Sequence, residues 1–190
     1  MKETQRDLME SCKPERVLRF CPRCGSEGFG SRAGKSFSCR ECGFELYINA
    51  AAAVVALIED DQGRLLLVRR AREPMKGTLD LPGGFVDPGE TIEEALRREI
   101  REELNLDIES FSYFCSFPNT YPYGGIVYHT IDLTFACTVK DLSRIRTGDD
   151  AGEHLFVSPE NIRLEDIGLH SIREIASRYI VSKTKKEVQS

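Results

Sequence analysis

From Ile92 to Leu104 the chain reads IEEALRREIREEL, and two of its glutamates fall where an amphipathic helix should be apolar. Thr91 with Glu94 three residues on is a capping-box signature, so a helix is predicted to start there. Asn105, a residue type that tolerates the left-handed conformation, marks its end. With Ile92 at the origin and about 100° per residue, Ala95, Leu96, Ile100 and Leu104 fall at roughly 300°, 40°, 80° and 120°, an apolar face. Glu99 at about 340° and Glu103 at about 20° lie inside that stripe, with Glu102 on its edge at about 280°. Glu94, Arg97, Arg98 and Arg101 take the other side, where i,i+4 pairs such as Glu94–Arg98 are expected. Glu93 also lands on the apolar side and reads as a first-turn residue favoured by the helix dipole. Carboxylates four residues apart sit about 5–6 Å apart at Cβ, so their oxygens can converge. Partly buried and unpaired, they would raise their own pKa values and weaken the fold. A divalent cation resolves that conflict, and carboxylate oxygens are hard donors suited to Mg²⁺ or Mn²⁺.

Upstream, Leu81-Pro82-Gly83-Gly84 and Asp87-Pro88-Gly89 form a loop dense in Gly and Pro. Such a loop brings backbone close to a ligand and leaves a carbonyl free for a metal. A metal on glutamates beside a helix points to phosphate chemistry. A second metal pattern precedes it. Cys21-Pro22-Arg23-Cys24 and Cys39-Arg40-Glu41-Cys42 are each followed by Gly and are separated by fourteen residues rich in Gly and Ser. Four thiolates from two such turns describe a closed, structural Zn²⁺ site, a zinc ribbon; a pair of redox dithiols is the other reading of the spacing.

The remaining chain is globular in composition, 41% hydrophobic and 30% charged, with a net charge of −5 that argues against a general nucleic-acid binder. The start of the chain shows no apolar signal region, and its longest apolar run, Ala50–Ile58, is too short for a membrane span. A cytoplasmic protein is expected. Seven cysteines in that setting read as metal ligands and free thiols, with Cys12, Cys115 and Cys137 as small hydrophobic residues. Ala50–Glu59 and Arg64–Arg70 read as a hairpin around Asp60-Asp61-Gln62-Gly63. Ile108–Phe117, Gly125–Val139 and His154–Val157 read as strands, with His129 on an apolar face as a core or hydrogen-bonded residue rather than a catalytic one. Gly168–Ser182 has helical spacing, and the residues after it read as a frayed tail. The expected class is α/β (α+β), a mixed sheet between helices. The expected divisions are an N-terminal segment 1–18, a ribbon 19–48, a catalytic domain 49–182 and a flexible tail 183–190.

Gly84, five residues, Glu90, seven residues, then Arg98-Glu99-Ile100-Arg101-Glu102-Glu103-Leu104-Asn105-Leu106 resembles the Nudix box, G-x5-E-x7-R-E-U-x-E-E-x-G-U, with Asn105 at its last Gly. The resemblance implies a Nudix α/β/α sandwich that hydrolyses a nucleoside diphosphate linked to another moiety. It implies that Glu99, Glu102 and Glu103, with the Gly83 carbonyl, ligate Mg²⁺ or Mn²⁺, and that one of these glutamates helps generate the nucleophile. Glu90 and Arg98 would form a structural salt bridge, and Glu153 is a candidate for the further Glu that the family often uses. A ribbon ahead of the domain resembles the NADH pyrophosphatase subgroup. That subgroup's downstream motif, S-Q-P-W-P-F-P-x-S, is matched at Ser116, Pro118 and Pro122 only, with Tyr121 standing for Phe. The segment reads as a specificity loop in which Tyr121 or Tyr123 stacks on a base, or as an aromatic turn packed on the sheet. Arg70, with Arg69 and Arg72, meets substrate phosphates or lies on a solvated edge. The implied substrates are NADH, ADP-ribose, FAD or a similar dinucleotide, in a homodimer. The alternatives are a non-catalytic nucleotide sensor and an enzyme that removes the NAD cap of RNA, using the ribbon for RNA contact.

Overall fold

The structure, a computed structural model, describes residues 9–146 and 151–187. It divides into two compact units, Met1–Ala51 with Thr120–His129, and Ala52–Asn119 with Thr130–Ser190.

The first unit holds a short helix α1 (Pro14–Val17) and three strands, β1 (Phe29–Arg32), β2 (Ser36–Cys39) and β3 (Glu45–Tyr47), in one antiparallel sheet of order β1-β2-β3. Its small core is Phe29, Phe37, Cys21 and Cys39, with the Phe29 and Phe37 rings stacked at 5.4 Å. A unit this small buries little apolar area, so a metal centre is a physically sensible supplement.

The second unit is built on strands that bury both faces. In β4 (Ala51–Ile58), Val54, Ala56 and Ile58 face one core while Val55 and Leu57 face another. The same alternation divides Leu66 and Val68 from Leu65 and Leu67 in β5 (Leu65–Arg70). One core is closed by Ala95, Leu96, Ile100 and Leu104 of α2 (Ile92–Leu104), the other by Ile172, Ile175, Ala176 and Tyr179 of α3 (His170–Glu187). Helix, strands and helix therefore form the expected sandwich. The remaining strands are β6 (Leu79–Asp80), β7 (Gly83–Phe85), β8 (Ile108–Tyr123), β9 (Ile126–Val139) and β10 (Ala151–Val157). They complete two sheets, β10-β5-β6 and β7-β4-β9-β8, and a parallel bridge from Leu79 to Ile167 adds to the antiparallel ladders. No helix among the described residues is long and apolar enough to cross a membrane.

Four local expectations change. The turn after β4 closes as predicted, with Asp60 N–H donating to Arg64 O at 3.0 Å, but β4 and β5 then part into different sheets. Both strands still alternate between the same two cores, so parting leaves each one covered on both faces. The segment read as a specificity loop is instead the end of β8, which runs unbroken to Tyr123. Pro118 and Pro122 are tolerated because β8 is an edge strand, and Gly124 and Gly125, with φ of 57° and 82°, supply a left-handed hairpin turn. His129 is exposed rather than in the core, since its part of β9 belongs to the hairpin tip. Helix α3 continues to Glu187, past the expected start of a frayed tail at residue 183, because Lys183 pairs with Glu59 and lies over the Tyr179 ring at 5.4 Å.

Asp132 of β9 is buried, accepting from the Thr130 hydroxyl at 3.0 Å and from the Ser171 hydroxyl. Burial pushes its carboxyl above the usual range despite these donors. A raised folded-state pKa contributes stability at low pH that is lost as pH rises through it. Asp132→Asn should therefore gain stability relative to the parent as pH climbs from about 4 towards neutrality. Urea midpoints of both proteins at several pH values check this; a constant difference would contradict it.

Candidate active site

Helix α2 is capped as its sequence demands. The Thr91 hydroxyl accepts from Glu94 N–H at 3.2 Å and the Glu94 carboxylate accepts from Thr91 N–H at 2.9 Å. Asn105 sits at φ 56°, ψ 34°, with its N–H on Arg101 O, so the residue standing for glycine adopts the glycine conformation. Glu94 is thereby occupied, and the expected Glu94–Arg98 pair gives way to other partners. Glu93 is exposed, not turned to the apolar face.

Arg98 is the electrostatic centre of the site. Its guanidinium donates to Glu90 at 2.8 and 2.9 Å, to Glu99 at 2.8 Å, to Glu102 at 3.3 Å and to the Phe85 carbonyl at 2.9 Å. The Arg98 hydrogen bond holds the Glu90 carboxyl below the usual carboxylate range. Burial instead pushes the Glu99 carboxyl up, and Arg98 offsets this only in part. Glu99 and Glu103 are half-buried while Glu102 is exposed, which matches their places on the wheel.

Two glycines set the distance between helix and strand. A Cβ on Gly84 would stand 2.4 Å from the Glu99 carboxylate, so the absence of a side chain is what lets Glu99 lie on β7. Gly83 has φ 148°, and a Cβ there would meet Val54 O at 2.0 Å. The Gly83 N–H donates to Glu103 Oε2 at 3.0 Å. Gly83, Gly84, Glu99 and Glu103 are thus brought together on one stretch of strand and helix.

By donor type this set fits a hard divalent cation. Among the described residues, however, only cysteines bring three or more ligand atoms within 4.8 Å of one another. The glutamate oxygens are drawn to Arg98 and to Gly83 N–H instead, and closing them on one ion takes side-chain rotation. Glu102, exposed, has the room for it.

The four cysteines are already converged. Cys21 and Cys42 sulfurs lie 3.6 Å apart, as do those of Cys24 and Cys39, too far for a disulfide. A tetrahedral centre with metal–sulfur bonds of about 2.3 Å sets its sulfurs about 3.8 Å apart, so the residues fit Zn²⁺. Gly25 and Gly43, at φ 76° and 70°, complete the two turns by donating to Cys21 O and Cys39 O. Backbone N–H groups of Cys42 and then Glu41 pull the Cys39 thiol down to about 6.

Other residues singled out in the sequence are placed elsewhere. Glu153 is exposed on β10 and pairs with Arg69 across the ladder at 3.3 Å. Arg70 is bound to Asp80 and, at 2.7 Å, to Pro74 O. Tyr123 is exposed on the hairpin tip, 6.5 Å from the Tyr128 ring, and the Tyr121 side chain lies outside the described residues. Cys12, Cys115 and Cys137 are buried. Asp80 and Asp132 were not foreseen; an acidic residue inside an apolar strand is the signal each carries.

Residues 49–179 match the NUDIX domain. The chain belongs to the Nudix family. This Nudix chain is 40% identical over 121 residues to an ADP-ribose pyrophosphatase of Methanocaldococcus jannaschii, covering 63% of its own length and 68% of that protein. It is 30% identical over 169 residues to the NAD-capped RNA hydrolase NudC of Stutzerimonas stutzeri, covering 86% of its own length but only 54% of that relative. A crystal structure of a Nudix hydrolase from Nitrosomonas europaea superposes with a TM-score of 0.66, at 24% identity, over 88% of this chain and 93% of that one. That likeness shows the Nudix fold.

Two outcomes follow from this geometry. Gly84→Ala should fold, since the flexible end of Glu99 can move aside, whereas Gly83→Ala meets backbone and should lose about 1–3 kcal/mol. Thermal melts of both distinguish them. The purified chain should release one Zn²⁺ on thiol modification, detected with a colorimetric chelator, and Cys39→Ser should release none.

Proposed function

We propose that this Nudix hydrolase cleaves the pyrophosphate linkage of a nucleoside diphosphate derivative, of the ADP-ribose or NADH type, into two monophosphates. The observation that carries the reading is the seating of Glu99 on Gly84 beside Glu103 on Gly83, with Glu102 one turn along from Arg98. Glu99, Glu102, Glu103 and the Gly83 carbonyl would hold Mg²⁺ or Mn²⁺. Bound there, the cation supplies neutralisation of diphosphate charge and a more acidic water.

The chain's own residues do the rest. Hydrolysis adds one water across P–O–P: its oxygen forms the new P–O bond, the bridging bond breaks, and the leaving phosphate keeps the electron pair. A helix glutamate takes the proton from water, which requires that carboxylate to be ionised and within hydrogen-bond reach. Arg98 anchors Glu99 and ties the helix to Glu90 and to the Phe85 carbonyl, so helix and loop are joined before substrate arrives, and the remaining carboxylates close by side-chain rotation. The ribbon has a structural role as a Zn²⁺ centre.

A second reading, removal of an NAD cap from RNA, is favoured by one feature of the first unit. Phe20 and Tyr47 are 56% and 62% exposed there, the same unit also exposes Arg19, Arg23 and Lys35, and exposed aromatics with cations suit single strands.

Product analysis with Mg²⁺ on ADP-ribose, NADH, NAD⁺, FAD, diadenosine polyphosphates and NAD-capped RNA tests both readings. Cleavage of at least one dinucleotide is expected, with Glu103→Gln reduced by at least about a hundredfold. Intact protein that cleaves none of them with either metal would overturn the hydrolase reading in favour of a nucleotide sensor.

A further inference from the structure

Between β6 and β7 the chain changes sheets in two residues. Asp80 is the last residue of a strand in the sheet β10-β5-β6, and Gly83 is the first of a strand in the sheet β7-β4-β9-β8. Only Leu81 and Pro82 lie between, so any shift at Asp80 is passed to Gly83 with little slack. Leu81 is buried, and Pro82 O accepts from Ala56 N–H at 2.9 Å.

Asp80 is itself buried and held by two donors. One carboxylate oxygen accepts from Leu81 N–H at 2.8 Å, and the other accepts from the Arg70 guanidinium. Arg70 also donates through Nε to Pro74 O at 2.7 Å, spanning the β5–β6 connection from inside. Backbone bonds from Arg70 N–H to Thr78 O at 3.0 Å and from Gly77 N–H to Arg70 O at 2.8 Å close the same connection. A guanidinium so engaged, beside a buried carboxylate, has a partner that fixes its geometry.

We infer that Arg70 and Asp80 are positioning residues for the glutamate site, holding the sheet crossover so that Gly83 presents its N–H to Glu103 and its carbonyl to the cation. This rests on the metal-site reading above, and it gives Arg70 a role other than contact with substrate phosphate. The physical requirement is accuracy: donors around a metal are useful only when the groups behind them fix their direction. A lysine at 70 could reach one Asp80 oxygen but not Pro74 O as well, because it lacks the fork of a guanidinium.

The experiment measures Mn²⁺ binding by the EPR signal of free Mn²⁺, and separately kcat and KM for ADP-ribose. The proteins are the full chain, Asp80→Asn, Arg70→Lys and Glu103→Gln, with thermal melts for each. Both Asp80→Asn and Arg70→Lys should weaken Mn²⁺ binding by about tenfold or more and lower kcat similarly, with the KM for ADP-ribose within about threefold of the parent. Arg70→Lys should be the milder of the two. Parental Mn²⁺ affinity in a folded Asp80→Asn or Arg70→Lys protein would overturn the inference, whatever its melting temperature. A rise in KM alone for Arg70→Lys would overturn it too, and make Arg70 a substrate contact. If instead the parent binds Mn²⁺ no better than Glu103→Gln, the metal-site reading itself has failed, a result distinct from either.

Discussion

Arg98 is the interaction on which the site depends. Helix α2 must present an apolar face to its core, yet it carries three glutamates on or beside that face. Half-burying a carboxylate costs free energy unless a positive charge or several donors lie close. The Arg98 guanidinium meets that need for Glu99, reaches the exposed Glu102 as well and, through Glu90 and the Phe85 carbonyl, ties the same charge to the loop ahead of the helix. One residue therefore makes an acidic helix compatible with a packed fold. Glu99 and Glu103 are directed by contacts at Gly84 and Gly83, and Glu99 also by Arg98, rather than by each other.

The two-sided strands explain why this helix sits where it does. β4 and β5 alternate strictly between two cores, so neither face is free to meet water, and each core needs a helix to close it. Helix α2 covers one face and α3 the other. The glycine-rich stretch from Leu81 to Phe85 is then squeezed between β4 and α2, close enough that a methyl group at Gly83 or Gly84 would collide. Close approach of backbone to carboxylate follows from the packing of the sandwich.

Much of this could be read from residues alone, and the parts that could not share a cause. The helix, its caps, its inward glutamates and the four-cysteine cluster are local patterns, set by spacings of two to fourteen residues. Asn105 is the sharpest case, since its left-handed backbone was inferred from residue type and is found at φ 56°. What escaped was non-local. Nothing near Asp60 says that β4 and β5 enter different sheets, and nothing near Pro118 says that β8 lies at an edge where proline is harmless. The buried acids Asp80 and Asp132 were missed for the same reason. Ser171 lies thirty-nine residues from Asp132, and Arg70, though only ten residues from Asp80, meets it only through the pairing of β5 with β6, which no local pattern announces.

The two sets of metal-ligand candidates differ in a way that matches their chemistry. The cysteine sulfurs sit close together on rigid turns, with glycines at positive φ behind them and two aromatic rings stacked below. Four thiolates closed on one ion would leave no open position and would serve the stability of a unit with a small core. The glutamates are spread along a helix, bound to a guanidinium and a backbone N–H, and at least one of them faces solvent. A centre assembled from those groups keeps room for substrate oxygens, which a hard cation with a six-fold shell requires. The contrast between a pre-closed set and an open one is therefore a physical reason to place structure at the cysteines and chemistry at the helix.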